Sequence, residues 1–279
     1  MADRQQIGRA LTARAWAFVR DVSPLRSVPI RGGAAALVCA VVTIVAGANL
    51  NGEDQPAGWR IVAVAVVLLG AYVAALLVVY SNAVLLAAAD RALRGDQPDL
   101  GGARATIRGR LGSIAGWTLV SAVATLGLGF VRLLGIAGML TGRVWAAKWG
   151  LRSYLVAPVL VFEGAGALAA LRRSDQLVEQ RWGPNPIGNV AIGSDYAVTA
   201  GIGVFFSFLG MGLAGWDTPW VRLIGTVILI ITISTTVRGA VICGATRAVF
   251  GAALYRYVAE QQVVGPFSAV ELDSVAQHN

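Results

Sequence analysis

Residues 61–89 read IVAVAVVLLGAYVAALLVVYSNAVLLAAA, with no charged side chain, and Arg60 and Asp90 close the run at its two ends. A helix of about 20 such residues crosses the ~30 Å hydrocarbon core of a bilayer, so this stretch is a membrane span with length to spare. A helix is required because lipid offers an open strand no partners for its backbone polar groups. Working outward, Gly32–Gly52, Leu111–Val131 and Tyr196–Trp216 are also free of charge. Hydrophobic residues make up 56% of the 279 and charged residues 14%, against roughly 45–50% and about 25% in a soluble domain. Mean hydropathy is +0.67. The expected fold is all-α, a polytopic transmembrane bundle of about six spans.

The spans are expected near 33–50, 59–88, 112–134, 145–164, 195–216 and 219–240, the last continuing as a cytoplasmic helix to about 260. Span one follows Pro24 and Pro29, and span two is long enough to tilt or project. The fourth span needs Lys148 and Arg152 to snorkel and kinks at Pro158. Three units result: an N-terminal segment 1–31, a six-span domain 32–262, and a polar tail 263–279. Two further segments read as amphipathic helices lying in the interface. In 5–20, Ile7, Leu11, Ala15, Phe18 and Val19 share one face; in 165–182, Leu168, Leu171 and Val178 oppose Arg172, Arg173, Asp175 and Glu179.

The net charge is +8. In a soluble chain that would point to nucleic acid; here the basic residues flank apolar runs, so the expected partner is anionic lipid headgroups and not nucleic acid. With the N-terminus inside, the cytoplasmic segments carry 17 Lys and Arg and the outer ones six. That bias places both termini in the cytoplasm and the chain in the cell membrane. Segment 132–152, with four positive residues and no acid, breaks the rule locally, and a half-span there is the alternative.

Candidate chemistry is sparse. The single histidine, His278, is next to last. No His-x-x-x-His pair, nucleophile elbow or phosphate loop occurs, and Cys39 and Cys243 are too isolated to pair or bind metal. We therefore expect no catalytic residue, no cofactor and no metal. By helical rise, Glu163, Asp195 and Arg238 fall towards the cytoplasmic boundary, either as a cluster lining a vestibule or as ordinary interfacial charge. Small residues recur every fourth position at Gly138 and Gly142, at Gly193, Ala197 and Gly201, and at Ala240, Gly244, Ala248 and Ala252. Such stripes let helices approach closely, within one subunit or between subunits. Trp145, Trp149, Trp216 and Trp220 suit an outer aromatic belt.

Several short motifs carry a resemblance: Tyr154-Leu-Val-Ala-Pro158-Val-Leu-Val-Phe-Glu163-Gly, Leu171-Arg-Arg-Ser174, Trp182-Gly183, Leu254-Tyr255-Arg256-Tyr257 and Gly265-Pro-Phe267. Together they resemble a family of uncharacterised six-span actinobacterial membrane proteins, loosely similar to the membrane domain of some glycerophosphodiester phosphodiesterases. The resemblance implies a helical membrane fold with cytoplasmic termini and no catalytic residues. The function expected is a non-enzymatic membrane scaffold or subunit, homo-oligomeric or bound to a membrane-protein partner. The alternative is a transporter or channel for a small solute or lipid.

Overall fold

The computed structural model describes residues 2–50, 56–132, 152–183 and 218–273, with single positions between 135 and 150 and between 202 and 213. Among the described residues are nine helices and no strand: α1 (Ala2–Asp21), α2 (Ser23–Leu50), α3 (Ala57–Leu93), α4 (Leu100–Arg108), α5 (Leu111–Arg132), α6 (Val156–Phe162), α7 (Ala167–Trp182), α8 (Pro219–Glu260) and α9 (Ala269–Asp273). The all-helical membrane fold expected from the sequence is the one observed. Four helices are long and apolar enough to cross a membrane: Ser23–Gly47, Gly58–Leu93, Leu111–Leu128 and Pro219–Glu260.

The helix ends follow local chemistry. Gly95, at φ +87°, turns the chain out of α3. Asp99 then caps α4 by accepting the Gly102 amide at 2.9 Å. Pro219 occupies the first turn of α8, where its missing amide costs nothing. After 42 residues α8 ends at Gln261, which adopts the left-handed conformation.

Helices α2 and α3 form an antiparallel hairpin in close contact. Gly32 faces Ser81, Thr43 faces Gly70, and Gly47 faces Val67. Helix α8 packs parallel to α3, with Gly244 beside Asn82, Gly251 beside Leu86 and Arg256 beside Asp90. Burial then divides both long helices at one level. From Gly58 to Tyr80 and from Pro219 to Val241 more than half of the residues are exposed, most of those apolar; from Ser81 to Asp90 and from Ile242 to Tyr257 most are buried. Each exposed band is about 23 residues, or ~34 Å at the helical rise, close to the hydrocarbon thickness. Trp59 and Trp220 stand at the start of the two bands, and exposed Arg238 near the end of one. Below that level, α1, the start of α2, α4, α6, α7 and α9 wrap the ends of α3 and α8 around one apolar core that includes Leu25, Leu85, Ile107, Leu155, Phe250 and Leu272.

Four expectations change. The apolar faces of the two amphipathic helices turn largely inward: Leu11, Ala15 and Val19 of α1 and Val178 of α7 are core residues, Phe18 and Leu171 pack against the core, and Leu168 stays exposed. Helix α2 does not wait for its prolines but runs from Ser23 through Pro29. Segment 145–164 is not one helix, because Ser153–Leu155 form a turn before the seven-residue α6. The segment read as a polar tail folds back through Asp273, with Phe267 and Leu272 buried. Most of 195–216 lies outside the described residues.

Candidate functional site

The feature best organised for binding is an open cleft of about 330 Å³ at the packed end of the bundle. The last turns of α3 supply Ala87, Asp90, Arg91 and Arg94; α4 supplies Ala103 and Thr106; α6 supplies Phe162; and α8 supplies Tyr255, Arg256 and Glu260. The parallel packing of α3 and α8 sets its floor. Arg256 donates from Nε to Asp90 Oδ1 at 2.7 Å and from Nη2 to Oδ2 at 2.8 Å, in the two-pronged geometry that suits guanidinium and carboxylate. The Asp90 side chain is 4% exposed and that of Arg256 13%. Arg94, one turn beyond Asp90, adds a third donor to Oδ2 at 2.9 Å, and Arg256 also reaches Glu260. The Arg256 guanidinium lies 4.8 Å from the centre of the Phe162 ring, a cation–π contact. With its donors on Asp90 and Glu260 and one face on Phe162, Arg256 makes the ion pair a fixed floor, while the more exposed Arg91 and Arg94 stand at the mouth.

The residues selected from the sequence sit elsewhere. Glu163 ends α6 beside the cleft, accepting from Tyr255 Oη at 2.9 Å and Arg173 Nε at 3.2 Å. Arg238 is exposed on α8, nearly five turns and ~25 Å along the helix from Tyr255. The fold does not bring the two together. Asp195 lies outside the described residues, as do Gly138, Gly193 and Gly201. Gly142 is buried in a helical position. Gly244 does admit a neighbour, since an added Cβ there would stand 2.8 Å from Asn82 Oδ1; that neighbour belongs to the same chain. Of the tryptophans assigned to an outer belt, Trp149 stacks on Trp117 with centroids 6.1 Å apart.

The sequence reading passed over Asp90, Arg94 and Arg256. A signal was present: Ala87, Asp90, Arg91 and Arg94 share a face at helical spacing directly after an apolar run, and Arg256 lies between two tyrosines. Among the described residues no group of three or more His, Cys, Asp or Glu could hold a metal ion. A second cluster closes the packed end from outside. Arg181 bonds Asp273 and the Tyr257 hydroxyl, and Tyr257 Oη donates to Asp273 Oδ2 at 2.6 Å. On the other side Glu271 pairs with Arg14. Glu271 is nudged up by partial burial, but hydrogen bonds from the Ser268 amide and hydroxyl and the Arg14 charge outweigh this and hold its carboxyl below the usual glutamate range.

No curated protein matches the chain, nor does any solved structure. A match does run from the start of the exposed band of α3 to the glycine that precedes the C-terminal fold-back, enclosing the whole cleft. On that match, over residues 61–265, the chain belongs to a family of unknown function, DUF6159.

Proposed function

We propose that the chain is a non-enzymatic scaffold or subunit of a membrane complex, set in the cell membrane with both termini and the packed end in the cytoplasm. The observation that carries this reading is the coincident switch in burial along α3 and α8. Above it, Ile61 and Leu68 of α3, Leu126 of α5 and Ile230 of α8 are exposed, a surface that needs lipid or the helices of a partner or second copy. Below it, exposed Arg9, Arg20, Arg26, Arg31 and Arg172 suit the anionic inner leaflet. The mass of the purified particle in nanodiscs, with co-purifying proteins identified, tests the proposal. A defined homo-oligomer or stable membrane partner supports it, and a lone monomer overturns it. Orientation has its own test: in intact cells an Arg9→Cys variant should resist a membrane-impermeant thiol reagent until the cells are permeabilised.

The polar cleft favours a second reading, a transporter of a small solute or lipid. Uptake into proteoliposomes that falls in Glu163→Gln and Arg94→Gln would replace the first reading with this one.

A further inference from the structure

We infer that the cleft between α3, α4 and α8 is a binding site for a phosphate-bearing small molecule, with Arg94 and Arg91 as the groups that hold the anion. The cleft collects three guanidiniums, from Arg91, Arg94 and Arg256, and two carboxylates, from Asp90 and Glu260. Asp90 is already taken up by three donors, two from Arg256 and one from Arg94. Its role is to hold those side chains in place, which removes the entropy cost of ordering them when a ligand arrives. The arginine donors that Asp90 leaves unused therefore stand at the mouth. Arg91 is 51% exposed, with a single long contact to Asp99 at 3.4 Å. Arg94 is 43% exposed and uses its Nε and Nη2 on Asp90. Two arginines on successive turns of one helix present the planar donors that match phosphate oxygens. Ala87, Ala103, Val161 and Phe162 give the cleft an apolar side, and its volume lies at the lower end of the range for small-molecule sites. A phosphate monoester with a compact organic body fits this description.

The same phosphate chemistry could come from a lipid headgroup, and depth separates the two sources. The exposed band of α3 ends near Tyr80, and Asp90 lies ~15 Å further along the helix. Headgroups occupy only about 5–7 Å on each side of the hydrocarbon. The cleft is therefore beyond their reach, which points to a soluble ligand. That step rests on the membrane placement proposed above; the binding itself does not.

The test titrates full-length protein in phosphatidylcholine nanodiscs with glycerol 1-phosphate and with inorganic phosphate, against chloride at matched ionic strength. A parallel arm adds phosphatidylglycerol to the disc. We expect saturable binding of the soluble ester, weakened about tenfold in Arg94→Gln and in Arg91→Gln, the loss expected for one charge-assisted hydrogen bond. Arg91 has no contact with the core, so its variant decides the matter if Arg94→Gln fails to fold. Binding that appears only with phosphatidylglycerol, and is lost in the same variants, supports the phosphate site while assigning its ligand to the bilayer. No saturable binding in either arm, or unchanged binding in both variants, overturns the inference. A particle that proves monomeric but binds the ester separates failure of the scaffold reading from failure of this one.

Discussion

Asp90 follows nearly thirty uncharged positions on one helix, and the fold turns it inward. A lone carboxylate there would carry a large desolvation penalty; its bidentate bond to Arg256 and the added bond from Arg94 offset it. Removing Asp90 strips the largely buried Arg256 of its two-pronged partner and leaves it Glu260 alone. We therefore expect Asp90→Ala to lower unfolding free energy by about 3–5 kcal/mol, measured by reversible unfolding in mixed micelles. Arg91→Ala, at the exposed mouth, should stay within ~0.5 kcal/mol. A double replacement, Asp90→Leu with Arg256→Met, should recover much of the single-variant loss, since an apolar pair of similar volume tolerates burial. This site was only half legible beforehand. The charges could be read, but their pairing spans 166 positions, and nothing local to Asp90 names its partner. Helical rise sets Glu163 and Arg238 at a similar depth, but α8 carries Tyr255, about 25 Å beyond Arg238, to Glu163 instead.

At the scale of elements, the apolar helices were legible because a charge-free run of spanning length admits few other structures. Their pairing was less so. The sequence drew attention to stripes of small residues on one helix, whereas the α2–α3 hairpin alternates roles: Gly32 and Gly47 of α2 receive Ser81 and Val67 of α3, and Gly70 of α3 receives Thr43 of α2. A contact built from a glycine on one helix and a larger residue on the other leaves no four-residue repeat to find. It does make a sharp expectation. A Cβ at Gly70 would stand 2.1 Å from Thr43 Oγ1, so Gly70→Leu must push the helices apart and should cost about 1–3 kcal/mol, the usual range for overpacking. Gly58, with nothing within 4 Å of an added Cβ, serves as the control, and Gly58→Ala should be neutral in the same unfolding assay. The amphipathic helices teach the converse. Periodicity located α1 and α7 but could not say what their apolar faces meet, because lipid and a protein core select the same pattern.

The whole molecule is closed at its packed end by part of the segment read from the sequence as a polar tail. Phe267 packs edge-on to Phe250 with centroids 5.4 Å apart, Leu272 is fully buried, and Asp273 ties the segment to Arg181 and Tyr257. Its polarity is real, but two apolar anchors with four positions between them, Phe267 and Leu272, suffice to pack it. The clasp also carries a titration. Glu271 is held below the ordinary glutamate range in the folded chain, against the upward push of burial, by Ser268 and Arg14. Since the folded value is depressed, its contribution is complete above the unfolded glutamate pKa and is lost as pH falls through the folded one. Acidification below the ordinary glutamate range should therefore loosen this segment before it reaches the core of α3 and α8. Hydrogen exchange across 266–273 measured at neutral pH and in steps below pH 4.5, the ordinary glutamate value, should show protection falling there first. Glu271→Gln should begin with weaker protection and show a flatter response. If protection in the wild type and the variant falls in parallel, Arg14 and Ser268 are not what couples the clasp to pH.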